Sequence, residues 1–306
     1  MADAEHGMWQ WLERYGLLGD QTVREHLVRT RPHYTAALYF PHLDAEKLLP
    51  TANFTALGFL IDDLFDDTIA ANDLAAVTRL NAELVGVSLS QRKPTTNLGR
   101  ACRDVLDTLS AGQPPRCRTV LGKANARWLA TYLVEAWLAA QGQTMGLTEY
   151  LAHRRHSVGE EIYLALEEFT SGLDLPSEVR GLPAMVQARE RAMEWIGLHN
   201  DIHSCAKEEA VGYPHNAVLI TRARCGGSIQ QSVDTVNDVL TGLIRQFQAA
   251  SAAVPAQARA VTGNDPAIMN AVEHALDGYR KLIRSNYTYH IGTARYEQVS
   301  AYLPQE

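Results

Sequence analysis

The segment FLIDDLFDD, from Phe59 to Asp67, sets four carboxylates directly behind an apolar run. Asp62 and Asp66 are four residues apart, as are Asp63 and Asp67, so on a helix each pair shares a face. Like charges at that spacing repel by roughly a few tenths of a kcal/mol in water. Beside an apolar surface the cost grows, because desolvation disfavours a carboxylate with no partner. A hard divalent cation reverses the sign: Mg²⁺ takes oxygen ligands, commonly one or two carboxylates together with substrate phosphates. The other use of such residues is a solvated helix end. An EF-hand loop is excluded, because its glycine and its terminal glutamate are missing at the required positions. A second oxygen-rich segment, LHNDIHSCAKEEA, runs from Leu198 to Ala210. Its Asn200, Ser204 and Glu208 are spaced by four, which on a helix makes one stripe of amide oxygen, hydroxyl and carboxylate. All three are hard donors, suited to Mg²⁺ rather than zinc. Lys207 beside them is within reach of an anion. The alternative is that Asn200 and Ser204 bond only within their helix.

These clusters need elements to carry them, and the chain offers helices. NDLAAVTRLNAELVGVSL, ANARWLATYLVEAWLAAQ and SIQQSVDTVNDVLTGLIRQFQAA repeat apolar residues at three and four. No run of alternating β-branched residues flanked by hairpin turns occurs. The breakers are local, as in SQRKPTTN, SAGQPP, SGLDLPSE, VGYPHN and TGNDPA. They read as short connections between helices. There is no internal repeat and no low-complexity tract. The expectation is an all-α chain with one domain over residues 1–306.

Composition narrows the function. The 306 residues are 46% apolar and 21% charged, with a net charge of -7, so a nucleic-acid partner is not expected. No run of 18 apolar residues is present, so no membrane span is expected. The N-terminal MADAEHGMWQWLERYG lacks a signal-peptide pattern. Cys102, Cys117, Cys205 and Cys225 have no CxxC spacing and read as free thiols in a reducing cytoplasm.

Taken together, the motifs resemble those of the class I terpene synthases, specifically the bacterial terpene cyclases. Phe59, Asp62, Asp63 and Asp66 match the family's aspartate-rich motif, and Asn200, Asp201, Ser204, Lys207 and Glu208 match its second motif without a gap. YPHNAV, from Tyr213 to Val218, is similar to a downstream family segment, and Arg295 with Tyr296 matches the C-terminal R-Y pair. EYLAHRRHSVG resembles the helix that carries a diphosphate-sensing arginine, with a glycine four residues later. That rule selects Arg155 and Gly159, with Arg154 as the fallback.

The resemblance implies an α-helical bundle around a central apolar cavity, with the two metal motifs facing each other across its mouth. It implies three Mg²⁺ ions, held by Asp62 with Asp66 nearby and by Asn200, Ser204 and Glu208. Arg155, Lys207, Arg295 and Tyr296 would contact the diphosphate of a linear isoprenyl substrate. Asp62, Arg155, Gly159, Arg295 and Tyr296 are the expected catalytic set. Ionisation leaves an allylic cation, which aromatic faces stabilise. Phe54, Leu57, Phe59, Trp195 and Tyr289 are the wall candidates. Leu57 and Tyr289 stand where many relatives carry tryptophan. That suggests a roomier cavity and a narrow preference for geranylgeranyl over farnesyl diphosphate. A cyclic terpene, made by a monomer or homodimer, is the expected outcome. The rivals are a linear prenyl-diphosphate synthase, a helical metal-dependent phosphohydrolase and a non-catalytic helical module.

Overall fold

A computed structural model describes residues 2–19, 21–170, 175–293 and 295. Among the described residues there are fourteen α-helices and no strand. They are α1 (Ala2–Arg14), α2 (Gln21–Thr30), α3 (Pro32–Tyr39), α4 (Ala45–Ala70), α5 (Leu74–Ser88), α6 (Asn97–Ser110) and α7 (Arg116–Ala140). Then follow α8 (Leu147–Ser157), α9 (Glu161–Thr170), α10 (Ser177–Arg180), α11 (Pro183–Val211), α12 (Ala217–Cys225), α13 (Ile229–Thr262) and α14 (Pro266–Gly292). The expected all-α class is what the chain adopts.

The helix ends follow local chemistry. Asp44 caps α4 by accepting from Lys47 N, and Asn216 caps α12 by accepting from Val218 N. Ser228 and Gln231 form a reciprocal capping box on α13. Pro183 and Pro266 open α11 and α14, where no amide hydrogen bond is lost. Gly212 and Gly263 close α11 and α13 in the left-handed region that glycine enters freely.

Helix α4 is central. Thr51 to Leu57 are buried without interruption, which requires neighbours all round the helix. Helix α4 packs against α1, α3, α5, α6 and α7, and Tyr163 of α9 meets Phe54 and Thr55. By length and composition α4 is also apolar enough to cross a membrane, but 56% of its most apolar window is buried inside the bundle. Helix α11 packs against α8, α13 and α14, so the two oxygen-rich segments lie on central helices. A smaller core of Tyr150, Leu198, Val218 and Leu240 fixes α8, α12 and α13 to α11.

Helix α8 stops at Ser157 and α9 starts at Glu161, with Gly159 between them at φ +73°. A side chain there would be strained, and its Cβ would come within 3.3 Å of the Trp128 indole nitrogen. Glycine therefore allows both the break and the close approach of α7. All four cysteines are unpaired, as expected.

Candidate active site

A cavity opens between α3, α4, α7, the α8–α9 break and α14, with about 750 Å³ of free space including its mouth. Asp62 of α4 stands at the mouth. Its Oδ1 accepts from the Tyr132 hydroxyl at 2.7 Å and its Oδ2 from Arg295 at 3.1 Å. Asp63 meets His26 Nε2 at 2.7 Å, Lys207 Nζ at 3.0 Å and Arg295 at 3.4 Å. Burial opposes its ionisation, but Arg295, His26 and Lys207 prevail and hold its carboxyl well below the usual range. Asp66 is the contrasting case. Burial and then the neighbouring Asp62 push its carboxyl well above the usual range, and Lys207 at 3.9 Å only partly offsets them. Asp67 is exposed.

On α11, Asn200 Oδ1 accepts from Arg154 at 2.8 Å, and its amide nitrogen lies 3.1 Å from His290 Nε2. Ser204 and Glu208 converge on one donor, the Asn216 amide, at 3.3 and 2.8 Å. Burial and Asp201 push Glu208 up to about 7. Lys207, one residue earlier, reaches across to Asp63 and Asp66, so the two oxygen clusters face each other as expected. Burial disfavours the Lys207 cation, yet Asp63 and Asp66 keep it charged.

The donor set fits a hard divalent cation. Asp62, Asp63 and Asp66 each offer an oxygen within 4.8 Å of the others. Asp66 and Glu208 are buried acids that repel each other, a conflict that a bound cation relieves.

Three placements correct the sequence expectation. Arg155 turns away from the cavity and is held by Glu190 at 2.7 Å and Glu194 at 2.5 Å. Arg154, the fallback, lines the cavity and pairs with Asp201 at 2.9 Å. Leu57 is packed in the core and does not line the cavity, because it lies off the face formed by Phe54, Thr55, Gly58, Phe59 and Asp62. Trp195 stacks on His199, 4.9 Å between centroids, and is likewise absent from the wall. Phe54, Phe59, Gly159, Tyr289 and Arg295 do line the cavity. Phe59 stacks with Tyr289 at 6.2 Å and lies beneath the Arg295 guanidinium at 4.4 Å. Tyr296 lies outside the described residues.

Sequence reasoning missed several lining residues: Tyr39, Trp128, Glu160, Tyr163 and Asn286. Only Glu160 carried a signal, its position next to Gly159. The others are single residues on separate helices, with no motif to join them.

The family model for terpene synthase family 2, C-terminal metal binding, matches residues 53–246, which span both oxygen clusters. The chain belongs to the class I terpene synthases. The terpene synthase is 34% identical to a (2Z,6E)-hedycaryol synthase of Kitasatospora setae over 241 residues, 77% of this chain and 70% of that protein. It is 30% identical to an isoafricanol synthase of Streptomyces violaceusniger, covering 96% of this chain and 80% of that one. Among solved structures, a-eudesmol synthase superposes with a TM-score of 0.82 at 25% identity, covering 94% of this chain and 93% of that one. As a member of this family, the terpene synthase is a lyase acting on an isoprenyl diphosphate, and its metal-binding region uses a divalent cation.

Proposed function

We propose that this terpene synthase ionises farnesyl diphosphate and closes the resulting cation into a cyclic sesquiterpene. The observation that carries the reading is the pair of facing oxygen clusters at the mouth of a cavity lined by aromatic rings. One relative, a 7-epi-alpha-eudesmol synthase of Streptomyces viridochromogenes that is 27% identical, is named as cyclising (2E,6E)-farnesyl diphosphate. The preference for geranylgeranyl diphosphate leaned on Leu57 and Tyr289 widening the cavity. Leu57 is not on the wall, so that half of the support is gone, and Tyr289, which is on the wall, fills its place with a ring stacked on Phe59.

Asp62 and Asp66, joined by Asp63, would hold Mg²⁺ on one side of the mouth, and Asn200, Ser204 and Glu208 on the other, three ions in all. When bound, the ions neutralise the diphosphate as the C–O bond breaks. Arg154 offers a planar, two-pronged donor to phosphate oxygens, while Lys207 offers a point charge. Arg295 now spends its hydrogen bonds on Asp62 and Asp63 and would exchange them for the diphosphate. Tyr296 is the expected further donor. Arg154 sits five residues before Gly159, so anion binding by Arg154 pulls on the helix break that borders the cavity. The wall then excludes water and folds the cation. Phe54, Phe59, Trp128 and Tyr289 present ring faces or edges to it, each face worth about 0.5–2 kcal/mol to a cation.

Incubation of the purified protein with geranyl, farnesyl and geranylgeranyl diphosphates, each with Mg²⁺ or EDTA, tests this by gas chromatography–mass spectrometry. A Mg²⁺-dependent cyclic C15 product is expected from farnesyl diphosphate. A cyclic product only from the C20 substrate would restore the longer chain, and no product from any of the three would overturn the reading.

A further inference from the structure

An acid stands on the wall of this hydrocarbon cavity. Glu160 follows Gly159 in the α8–α9 break, is 6% exposed and lines the cavity beside Tyr39 and Tyr163. The Tyr39 hydroxyl donates to its Oε1 at 2.8 Å, and Tyr39 in turn accepts from the Asn286 amide at 3.3 Å. This fixes the direction of the chain of bonds. With its lone pair engaged by Asn286, Tyr39 gives its proton to Oε1, so Oε1 is the accepting oxygen of the carboxyl. The acid proton then belongs on Oε2, which has no hydrogen-bond partner among the described residues. An unmatched polar atom at this depth is costly, by about 1–3 kcal/mol, unless it has a task. Burial outweighs Tyr39 and Arg154 and lifts the carboxyl to about 8, so the group is neutral at neutral pH. A neutral acid does not trap the first cation as an ester, as a carboxylate would.

Resting on the proposed sesquiterpene cyclisation, we propose that Glu160 is the cavity's acid–base residue: it protonates a neutral ring intermediate and recovers a proton when the final cation collapses. The first cation loses a proton to the released diphosphate, which leaves a neutral medium-ring triene. In the next step the Glu160 O–H bond breaks and its electron pair stays on Oε2. The π pair of one double bond forms the new C–H bond, while the second double bond attacks across the ring. Ring closure concerted with proton transfer moves the positive charge to the far carbon, so a weak acid suffices. The developing carboxylate is stabilised by the Tyr39 hydrogen bond, which strengthens with charge, and by the cation beside it. Finally Oε2 takes a proton from a carbon next to the cation, that C–H pair becomes the product double bond, and Glu160 is neutral again.

Turnover of farnesyl diphosphate in D₂O with Mg²⁺ tests this, because the Glu160 proton exchanges with solvent between turnovers. The wild-type cyclic product should carry one deuterium on carbon. Glu160→Gln keeps the shape of the side chain and cannot deliver a proton. Its product should carry no deuterium, and the share of the neutral ring intermediate should rise by about 10-fold or more, as for loss of a general acid. A wild-type product without deuterium, or deuterium retained in Glu160→Gln, overturns the proposal while leaving the cyclisation reading intact. No terpene from wild-type protein overturns both. If Glu160→Gln fails to fold, Tyr39→Phe keeps the carboxyl and removes its donor. The share of the intermediate should then rise by about threefold, and an unchanged share would count against the proposal.

Discussion

Asp63 at the cavity mouth meets Arg295, Lys207 and His26, whereas Phe54 on the wall meets the edge of Tyr163 at 5.4 Å. The mouth is held by charges that a diphosphate and its cations can exchange for their own. The wall is held by packing that offers no such exchange, and Tyr163 there is tied to Thr55 at 2.9 Å. The difference teaches a division of labour. Rate should belong to the mouth, where charge develops, and product shape to the wall, where contacts are fixed.

The largest effect expected of that division is at Asp62. Asp62→Asn keeps the Tyr132 hydrogen bond but loses a ligand charge, and diphosphate release from farnesyl diphosphate should fall by about 10³-fold. Normal release by a folded variant would remove the aspartate cluster from the account. Next come the adjacent arginines. Arg154→Lys should lower kcat/KM by about 10- to 100-fold, and Arg155→Lys by less than about threefold, since only the former faces the cavity. Steady-state kinetics on both would expose a reversed assignment.

A stability effect comes third. The Asn216 amide serves the Asp201 carbonyl, Ser204 and Glu208 while its oxygen caps α12. Asn216→Ala should cost about 2–3 kcal/mol in urea unfolding, from a lost cap and stranded buried acceptors. The last effect, read as a slope and not as a single loss, concerns pH. The folded protein holds the Glu160 proton up to about 8, whereas the unfolded chain releases it near the usual 4.5. Stability should therefore fall as pH rises from 5 to 8, by up to about 1.4 kcal/mol per pH unit from this one group. Glu160→Gln should flatten that part of the slope, and identical slopes would contradict it.

The mouth was legible in the sequence because its chemistry is periodic. Carboxylates and hard oxygens four residues apart on helices must share a face, and α4 and α11 do face each other. Lys207 was legible for the same reason. Arg155 was misread because one residue turns a helix by about 100°, so Arg154 and Arg155 point to different surroundings. The motif rule counts positions and does not see which face the bundle leaves open. Leu57 failed in the same way, lying off the stripe from Phe54 to Asp62. Trp195 failed because His199 offers it a stacking partner outside the cavity. The rest of the wall is assembled one residue at a time from Tyr39, Trp128, Tyr163 and Asn286, and no local pattern records that meeting.

The most direct measurement of the division between mouth and wall is Phe54→Leu, with diphosphate release and product composition read from the same reactions on farnesyl diphosphate. The account predicts release within about 10-fold of wild type and a changed mixture of cyclic products. Release that falls as far as in Asp62→Asn, with the product mixture unchanged, would contradict it.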